Sequence, residues 1–181
     1  MKRSEFKKGY THIYFGNGKG KTSAALGLGL RAAGCGLSVC MLQFLKKSKP
    51  GTGELKSVRK IRNFKIIQFN QKHPMFEKNP AKLSRWKNNT VDSLRRASVL
   101  LKSGEYDIVI LDEILNTINC GFICERTLLD LLRQKPNDVE LILTGRSAKK
   151  NLIKHADYVS KIESVKHPYN KGVLARKGIE F

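Results

Sequence analysis

Residues 14–24 read YFGNGKGKTSA and place three glycines and two lysines within six positions. A glycine loop between a strand and a helix directs backbone N–H groups and a helix N-terminus at an anion. The usual spacing of a phosphate loop is G-x-x-x-x-G-K-[ST]. Here only three residues separate Gly16 from Gly20, and a four-residue spacing would put Phe15 in the first glycine position. The stretch therefore predicts a phosphate loop that is one residue short.

The sequence on both sides of the loop has the context that a phosphate loop requires. Residues 10–15 (YTHIYF) are typical of a strand, and residues 21–33 of a helix that ends at Gly34. We expect the Lys21 ammonium to reach the phosphates and the Thr22 hydroxyl to ligate Mg²⁺. The loop itself would cradle the phosphates through Gly16, Asn17, Gly18, Lys19 and Gly20. The alternative is a tight Gly-rich turn without a ligand, and the Lys-Thr junction favours phosphate binding.

Strands and helices alternate along the rest of the chain. Apolar runs predict strands at 37–44, 64–69, 106–111, 139–143 and 158–165, and helical spacing predicts helices at 80–101, 127–133 and 149–155. Such alternation indicates βαβ units, so we predict an α/β fold with a P-loop NTPase-like parallel sheet and helices on both faces. We expect a single domain over 1–181, with a basic N-terminal arm at 1–9 and a long polar loop at 46–53.

A pair of acidic residues follows one of the buried strands. The sequence IVILDE (108–113) is apolar until it ends in Asp112 and Glu113. Carboxylates at a strand end beside a phosphate loop are well placed to hold Mg²⁺, directly or through water. The alternative is two solvated acids, and the phosphate loop favours the metal role.

The chain is strongly basic, with 35 Lys and Arg against 15 Asp and Glu and a formal net charge of +20. Such an excess favours polyanionic partners. The lysines are scattered along the sequence without interleaved aromatic residues, so we favour a solvated basic surface and expect no specific nucleic acid. No apolar run approaches the roughly 20 residues that span a bilayer, and no secretory signal follows the N-terminus, so we expect no membrane partner.

The cysteines indicate a reducing compartment. There are four, Cys35, Cys40, Cys120 and Cys124, and they form no C-x-x-C pair and have no His at zinc-ligand spacing. We interpret them as reduced thiols of a cytoplasmic protein rather than as a metal site.

Several segments resemble one family along nearly the whole chain. GNGKGKTSAALGLGLRAAG (16–34) resembles the phosphate loop, with the same reduced spacing, of the P-loop type cob(I)alamin (corrinoid) adenosyltransferases. QFLK (43–46), GTGE (51–54), YDIVILDEI (106–114) and LILTGR (141–146) are similar to further family motifs. The tail VKHPYNKGVLARKGIEF (165–181) resembles the C-terminal signature of the family, which is more specific than any phosphate loop.

The resemblance implies a reaction in which ATP donates an adenosyl group. The Co(I) centre of a reduced corrinoid, such as cobalamin, attacks the ribose C5′ of ATP, and triphosphate leaves. It also implies a role in adenosylcobalamin biosynthesis or salvage, ATP bound in the reversed sense, Mg²⁺, a homodimer and a flavoprotein reductant. A loop that holds triphosphate as a leaving group need not place the terminal phosphate for attack.

The resemblance also assigns site residues by motif position. It implies that residues 16–22 hold the triphosphate and that Thr22 and Glu113 hold Mg²⁺ with Asp112 in support, so that Lys21, Thr22 and Glu113 are catalytic. Gln43, Arg146, Lys166 and His167 stand at further matching positions. The alternatives are structural: Gln43 as a strand-end hydrogen-bonding residue, and His167 as a loop anchor before Pro168.

The sequence departs from the family on the corrinoid side. FNQKHPMFEKNP (69–80) replaces a Gly-Phe-x-Trp motif, with Phe76 in the place of Trp and Pro74 in that of Phe. DEILNT (112–117) differs from the usual Asp-Glu-Ile-Asn-x-Ala, and Ser147 replaces a glycine. We expect Phe76 to close over the corrinoid, with a packing role as the alternative. The departures lie on the corrinoid side and not on the ATP side. We therefore expect the ATP site to follow the family more closely than the corrinoid site does.

Two other function classes remain open from the sequence. One is another Mg-ATP-dependent P-loop enzyme, such as a kinase or an ATPase, and the other is an ATP-using nucleic-acid-binding protein. The C-terminal motif favours the adenosyltransferase over both.

Overall fold

The computed structural model describes residues 8–46, 52–69, 74 and 77–179. Within them lies a six-stranded sheet in the order β3-β2-β4-β5-β1-β6, in which every neighbouring pair is parallel. Its strands are β1 Thr11–Phe15, β2 Val39–Gln43, β3 Phe64–Gln68, β4 Ile108–Asp112, β5 Glu140–Gly145 and β6 Tyr158–Lys161.

Helices cover both faces of the sheet. They are α1 Lys21–Gly34, α2 Gly53–Val58, α3 Pro80–Lys102, α4 Ile114–Asn119, α5 Glu125–Arg133 and α6 Lys150–Lys154, followed by a 3₁₀ turn at Pro168–Lys171. Alternate residues of β4 divide between two cores, because successive side chains of a strand point to opposite faces. Ile110 packs with α1 and α2, and Leu111 packs with α3 to α6. The predicted α/β fold, with a parallel sheet between two helical layers, is confirmed.

Several predicted boundaries were wrong by one to four residues. The strands predicted from 37 and 106 begin two residues later, at Val39 and Ile108, because Asp107 and Ser38 bond to each other ahead of the ladder. The strand predicted over 158–165 ends at Lys161, after which the chain turns toward the glycine loop. The helix predicted from 127 begins at Glu125.

Two short helices were not predicted. Helices α2 and α4 have six residues each, too few for helical spacing to stand out. Helix α2 begins inside the loop predicted at 46–53, of which 47–51 lie outside the described residues. By contrast, α3 has 23 residues, and helical spacing was enough to predict it. The structure adds its N-cap, because the Asn79 side chain accepts from the amides of Ala81 and Lys82.

The strand order brings the candidate residues to one edge of the sheet. Strand β5 separates β1, which leads into the glycine loop, from β4, which ends at Asp112. The register pairs Phe15 with Gly145 and Gln43 with Asp112, so these strand ends lie level with one another. In parallel sheets, ligands bind outside the carboxyl ends of the strands. Across the described part of the chain, no helix is both long and apolar enough to cross a membrane.

Candidate active site

The glycine loop is packed against the backbone that follows β6. Gly16 has a φ of 120°, and a Cβ there would lie 2.2 Å from the Ile162 carbonyl oxygen. A Cβ on Gly18 would lie 2.7 Å from the carbonyl carbon of Glu163. The Gly16 amide donates to the Arg146 carbonyl at 3.1 Å, and the Gly18 amide donates to the Ile162 carbonyl at 2.9 Å. These two glycines are therefore required by close packing within the chain, and their amides already have partners.

The start of α1 is the part of the loop that is suited to an anion. Gly20 precedes the helix with a φ of 119°, and first-turn N–H groups have no partners within a helix. The Lys21 ammonium donates to the Gly18 carbonyl at 2.6 Å, so it lies folded over the loop. Burial lowers the pKa of Lys21, and Arg146 adds to this effect, whereas Glu113 and Asp112 oppose it. A cation and a helix N-terminus thus converge on the same space.

Asp112 is the centre of a hydrogen-bond network at the strand ends. Its side chain is fully buried. One carboxylate oxygen, Oδ1, accepts from the hydroxyls of Thr22 at 2.9 Å and Thr144 at 2.7 Å. The other, Oδ2, accepts from the amide of Gln43 at 3.3 Å and lies 2.6 Å from the ammonium of Lys46. Because Thr22 gives its proton to Asp112, the lone pairs of its oxygen are directed away from the carboxylate.

Glu113 is held in a strained conformation beside this network. Its φ of 63° lies in the left-handed region, which non-glycine residues adopt rarely and which is enriched at functional sites. Its N–H donates to the Thr144 hydroxyl at 2.9 Å, and its carboxylate accepts from the amide of Asn116. Asn116 also accepts from the Arg146 N–H at 2.7 Å. Asn116 therefore fixes the Glu113 carboxylate relative to the turn after β5.

The donor set fits a hard divalent cation that is completed by phosphate oxygens and water. Mg²⁺ prefers oxygen ligands and is usually bound by one or two carboxylates plus substrate phosphates. The Thr22 hydroxyl bonds to Asp112, the Glu113 N–H bonds to Thr144, and the Glu113 carboxylate bonds to Asn116. The described residues contain no cluster of three or more His, Cys, Asp and Glu side chains that would hold a metal on its own.

Glu113 makes the stability of the ligand-free protein depend on pH. Burial raises the pKa of Glu113 above its ordinary value of 4.5, and Asp112 adds to this, whereas Lys46 and Lys21 oppose it. The folded protein therefore binds this proton more readily than the unfolded chain, and the free energy of unfolding falls as pH rises from 4.5 through the raised pKa. Glu113→Gln is expected to stabilise the ligand-free protein at pH 8 and to flatten this decline.

Urea unfolding at pH 5 and pH 8 measures both effects. The matched control is Glu105→Gln at an exposed position, which is expected to follow the wild-type pH dependence. A Glu113→Gln protein that is less stable than wild type at pH 8 would contradict the prediction.

The structure brings some predicted residues to the strand ends and leaves others apart. Gln43 is buried and donates to Asp112, and the backbone of Arg146 contacts both Gly16 and Asn116. The Asn17 side chain accepts from the Ser164 N–H at 3.1 Å. The imidazole Nδ1 of His167 accepts from the Tyr169 N–H at 3.1 Å and so caps the 3₁₀ turn at Pro168–Lys171. Lys166 lies exposed in the same segment, and Phe76 lies outside the described residues.

Four residues of the network were not predicted to be site residues. They are Lys46, Thr144, Asn116 and Gln68, and the last of these donates to Gln43 at 2.7 Å. Thr144 and Gln68 lie at the carboxyl ends of β5 and β3, Lys46 follows β2, and Asn116 lies in α4, beyond the end of β4. A place at or beyond a strand end was the available signal in the sequence, and Lys46, Thr144 and Asn116 lie within stretches quoted above.

The family model and the similar proteins that match this chain all point to one family. The family model described as ATP:corrinoid adenosyltransferase BtuR/CobO/CobP matches residues 7–181. The corrinoid adenosyltransferase of a Sinorhizobium species is 30% identical over 176 residues, which cover 97% of this chain and 81% of that protein. The corrinoid adenosyltransferase of Escherichia coli K12 is 28% identical over 179 residues, which cover 99% of this chain and 89% of that protein.

Among solved structures, the cytoplasmic domain of the type VII secretion ATPase EccC of Thermomonospora curvata has a TM-score of 0.48 and 12% identity. The match covers 91% of this chain and 21% of that one, and it is too weak to bear on fold or function.

Proposed function

Because this chain belongs to the ATP:corrinoid adenosyltransferase family, we propose that it transfers the 5′-deoxyadenosyl group of ATP to the Co(I) centre of a reduced corrinoid. The bond between C5′ and its oxygen breaks, a cobalt–carbon bond forms with the electron pair of Co(I), and triphosphate leaves. This reaction belongs to adenosylcobalamin biosynthesis or salvage.

The convergence of Lys21, Thr22 and Glu113 on the start of α1 is the observation that supports this function. Negative charge develops on the departing triphosphate, and preorganised positive groups stabilise such charge in the transition state. Lys21 and the helix N-terminus supply those groups from the chain itself. Thr22 and Glu113 would hold Mg²⁺, with Asp112 in support, and the ion would contribute further positive charge.

The corrinoid side of the site rests on the family resemblance. We propose that Phe76, Lys166 and His167 contribute to corrinoid binding and that Gln43 and Arg146 border the ATP site. We further propose that residues 1–181 form a single domain and that the protein is a cytoplasmic homodimer. A flavoprotein would act as the reductant that provides Co(I). Since Co(I) is itself a strong nucleophile, the main task of the protein is to position it against C5′.

The products distinguish this function from a kinase or an ATPase. Phosphoryl transfer yields ADP, whereas adenosyl transfer leaves the three phosphates of ATP joined. With Mg²⁺, ATP and chemically reduced cobalamin under anaerobic conditions, we expect free triphosphate and adenosylated cobalamin in equal amounts. Phosphorus NMR of the quenched mixture and the absorption spectrum of the cobalt–carbon product measure the two.

Reactions that lack cobalamin serve as the control and are expected to leave ATP intact. ADP as the main product, or ATP consumption that does not depend on cobalamin, would move the protein to the kinase or ATPase class.

A further inference from the structure

Asp112 forms an ion pair with Lys46 that its proposed metal-binding role does not explain. The ammonium Nζ of Lys46 lies 2.6 Å from Asp112 Oδ2, the side chain of Asp112 is 0% exposed, and that of Lys46 is 27% exposed. Within the described residues this is the one ion pair that Asp112 makes. A buried carboxylate without a cationic partner is strongly unfavourable, so Lys46 compensates the charge of Asp112 when no ligand is bound.

The backbone at the end of β2 directs Lys46 to this position. The Phe44 N–H donates to the Asp112 carbonyl at 2.9 Å, which fixes the departing chain beside β4. Leu45 follows with a φ of 49°, in the left-handed region that is uncommon for leucine. Phe44 and Leu45 are both buried. Two packed residues therefore set the direction of Lys46, which makes the ion pair a feature of the fold and not an encounter of two surface side chains.

A divalent cation at the same carboxylate conflicts with this arrangement. Thr22, a proposed metal ligand, bonds to Asp112 directly, and Glu113, the other, is its neighbour in the chain. A cation held by these residues would share the charge of Asp112 with the ammonium of Lys46, and the two cations repel each other. Lys46 is able to leave, because its side chain is partly exposed and its ammonium can move into solvent while the stem stays in place.

We propose that Lys46 is the counter-ion of Asp112 only in the nucleotide-free protein and that binding of Mg·ATP displaces it. The inference rests on the Mg·ATP part of the proposed function. It makes Lys46 a competitor of the metal ion and a stabiliser of the empty site. A lysine that only bound phosphate would instead strengthen metal–nucleotide binding.

Binding of Mn²⁺ in the presence of ATP tests the competition without any catalytic turnover. The full chain is dialysed to equilibrium against Mn²⁺ at saturating ATP and without corrinoid, and the Mn²⁺ on the protein side in excess of that on the other side is measured by electron paramagnetic resonance after acid release. Lys46→Met keeps the stem and removes the charge. Mn²⁺ is expected to bind this variant about tenfold more tightly than it binds wild type. This factor follows if the ion pair with Asp112 is formed in roughly nine-tenths of the ligand-free wild-type molecules, so that only about one-tenth are free to bind.

Two further variants complete the experiment. Lys102→Met, which removes an exposed ammonium that donates to Gln134 at 2.5 Å, is expected to leave Mn²⁺ affinity unchanged. Lys46→Arg gives Asp112 a guanidinium that can donate two hydrogen bonds to its carboxylate, and it is expected to weaken Mn²⁺ binding relative to wild type. Lys46→Met is also expected to lower the melting temperature of the ligand-free protein, and saturating Mn²⁺ and ATP are expected to remove that difference.

If Lys46→Met binds Mn²⁺ no more tightly than wild type does, the proposed displacement of Lys46 is wrong, whereas the proposed function still stands. If Lys46→Met does not fold, Lys46→Arg is the deciding variant. Mn²⁺ binding by Lys46→Arg that is equal to or tighter than that of wild type then contradicts the displacement of Lys46. If the wild-type protein binds no Mn²⁺ in the presence of ATP, both the displacement of Lys46 and the Mg·ATP part of the proposed function are wrong.

Discussion

Replacing Lys21 by alanine is expected to lower kcat/KM for adenosyl transfer by roughly 10²- to 10³-fold, the effect of removing one preorganised stabilising group. The ammonium lies 2.6 Å from the Gly18 carbonyl, over the start of α1, where the triphosphate would gain charge as it leaves. Loss of this charge acts on the transition state more than on folding. Burial lowers the pKa of Lys21, so the ligand-free site stabilises the charged form less than water does.

The measurement compares initial rates from preformed Co(I) cobalamin with the thermal melting of the same preparations. Lys154→Ala, at an exposed position near the end of α6, is the matched control and is expected to retain wild-type rates. A Lys21→Ala protein with wild-type turnover and wild-type melting would refute the role. A large loss of melting temperature would assign Lys21 to the stability of the loop instead.

The α/β fold was predictable from the alternation of strands and helices along the chain, together with the strand–loop–helix order over residues 10–34. Continuous apolar runs such as 108–111 mark strands that are covered on both faces, and such strands are parallel and separated by helices. The glycine loop and the Asp112–Glu113 pair were predictable because their chemistry depends on local residue type and on the end of the strand at which they lie. These features are encoded within a few neighbouring residues.

The bonds that organise the site could not be predicted in the same way. Thr144 contacts Asp112 only because β5 lies beside β4 in the sheet, and strand order is not written in local sequence. The packing of Gly16 against Ile162 depends on where β6 ends, which the sequence placed four residues too late. The left-handed turn at Glu113 has no residue-type signal, since glycine or asparagine would be the usual choice there.

Asp112 is expected to be the residue on which the stability of the site depends most strongly. Asp112→Ala removes the acceptor of two hydroxyls, one amide and the ammonium of Lys46 in a single step. A buried donor that loses its acceptor costs about 1–3 kcal/mol, and Asp112→Ala leaves the donors of Thr22, Thr144 and Gln43 without one. Urea unfolding is expected to show a lower midpoint with an unchanged m-value.

A double-mutant cycle separates the ion pair from the hydrogen bonds. If the Lys46 ammonium stays at the site after Asp112→Ala and does not move into solvent, adding Lys46→Met restores part of the stability, with a coupling within the range of about 0.5–3 kcal/mol found for contacting residues. The remaining loss then belongs to Thr22, Thr144 and Gln43, whose donors still lack an acceptor. Additive losses would show that Lys46 and Asp112 are independent. A loss below about 1 kcal/mol for Asp112→Ala, which is the size of an ordinary surface effect, would mean that water replaces the carboxylate and that the network does not hold the strand ends together.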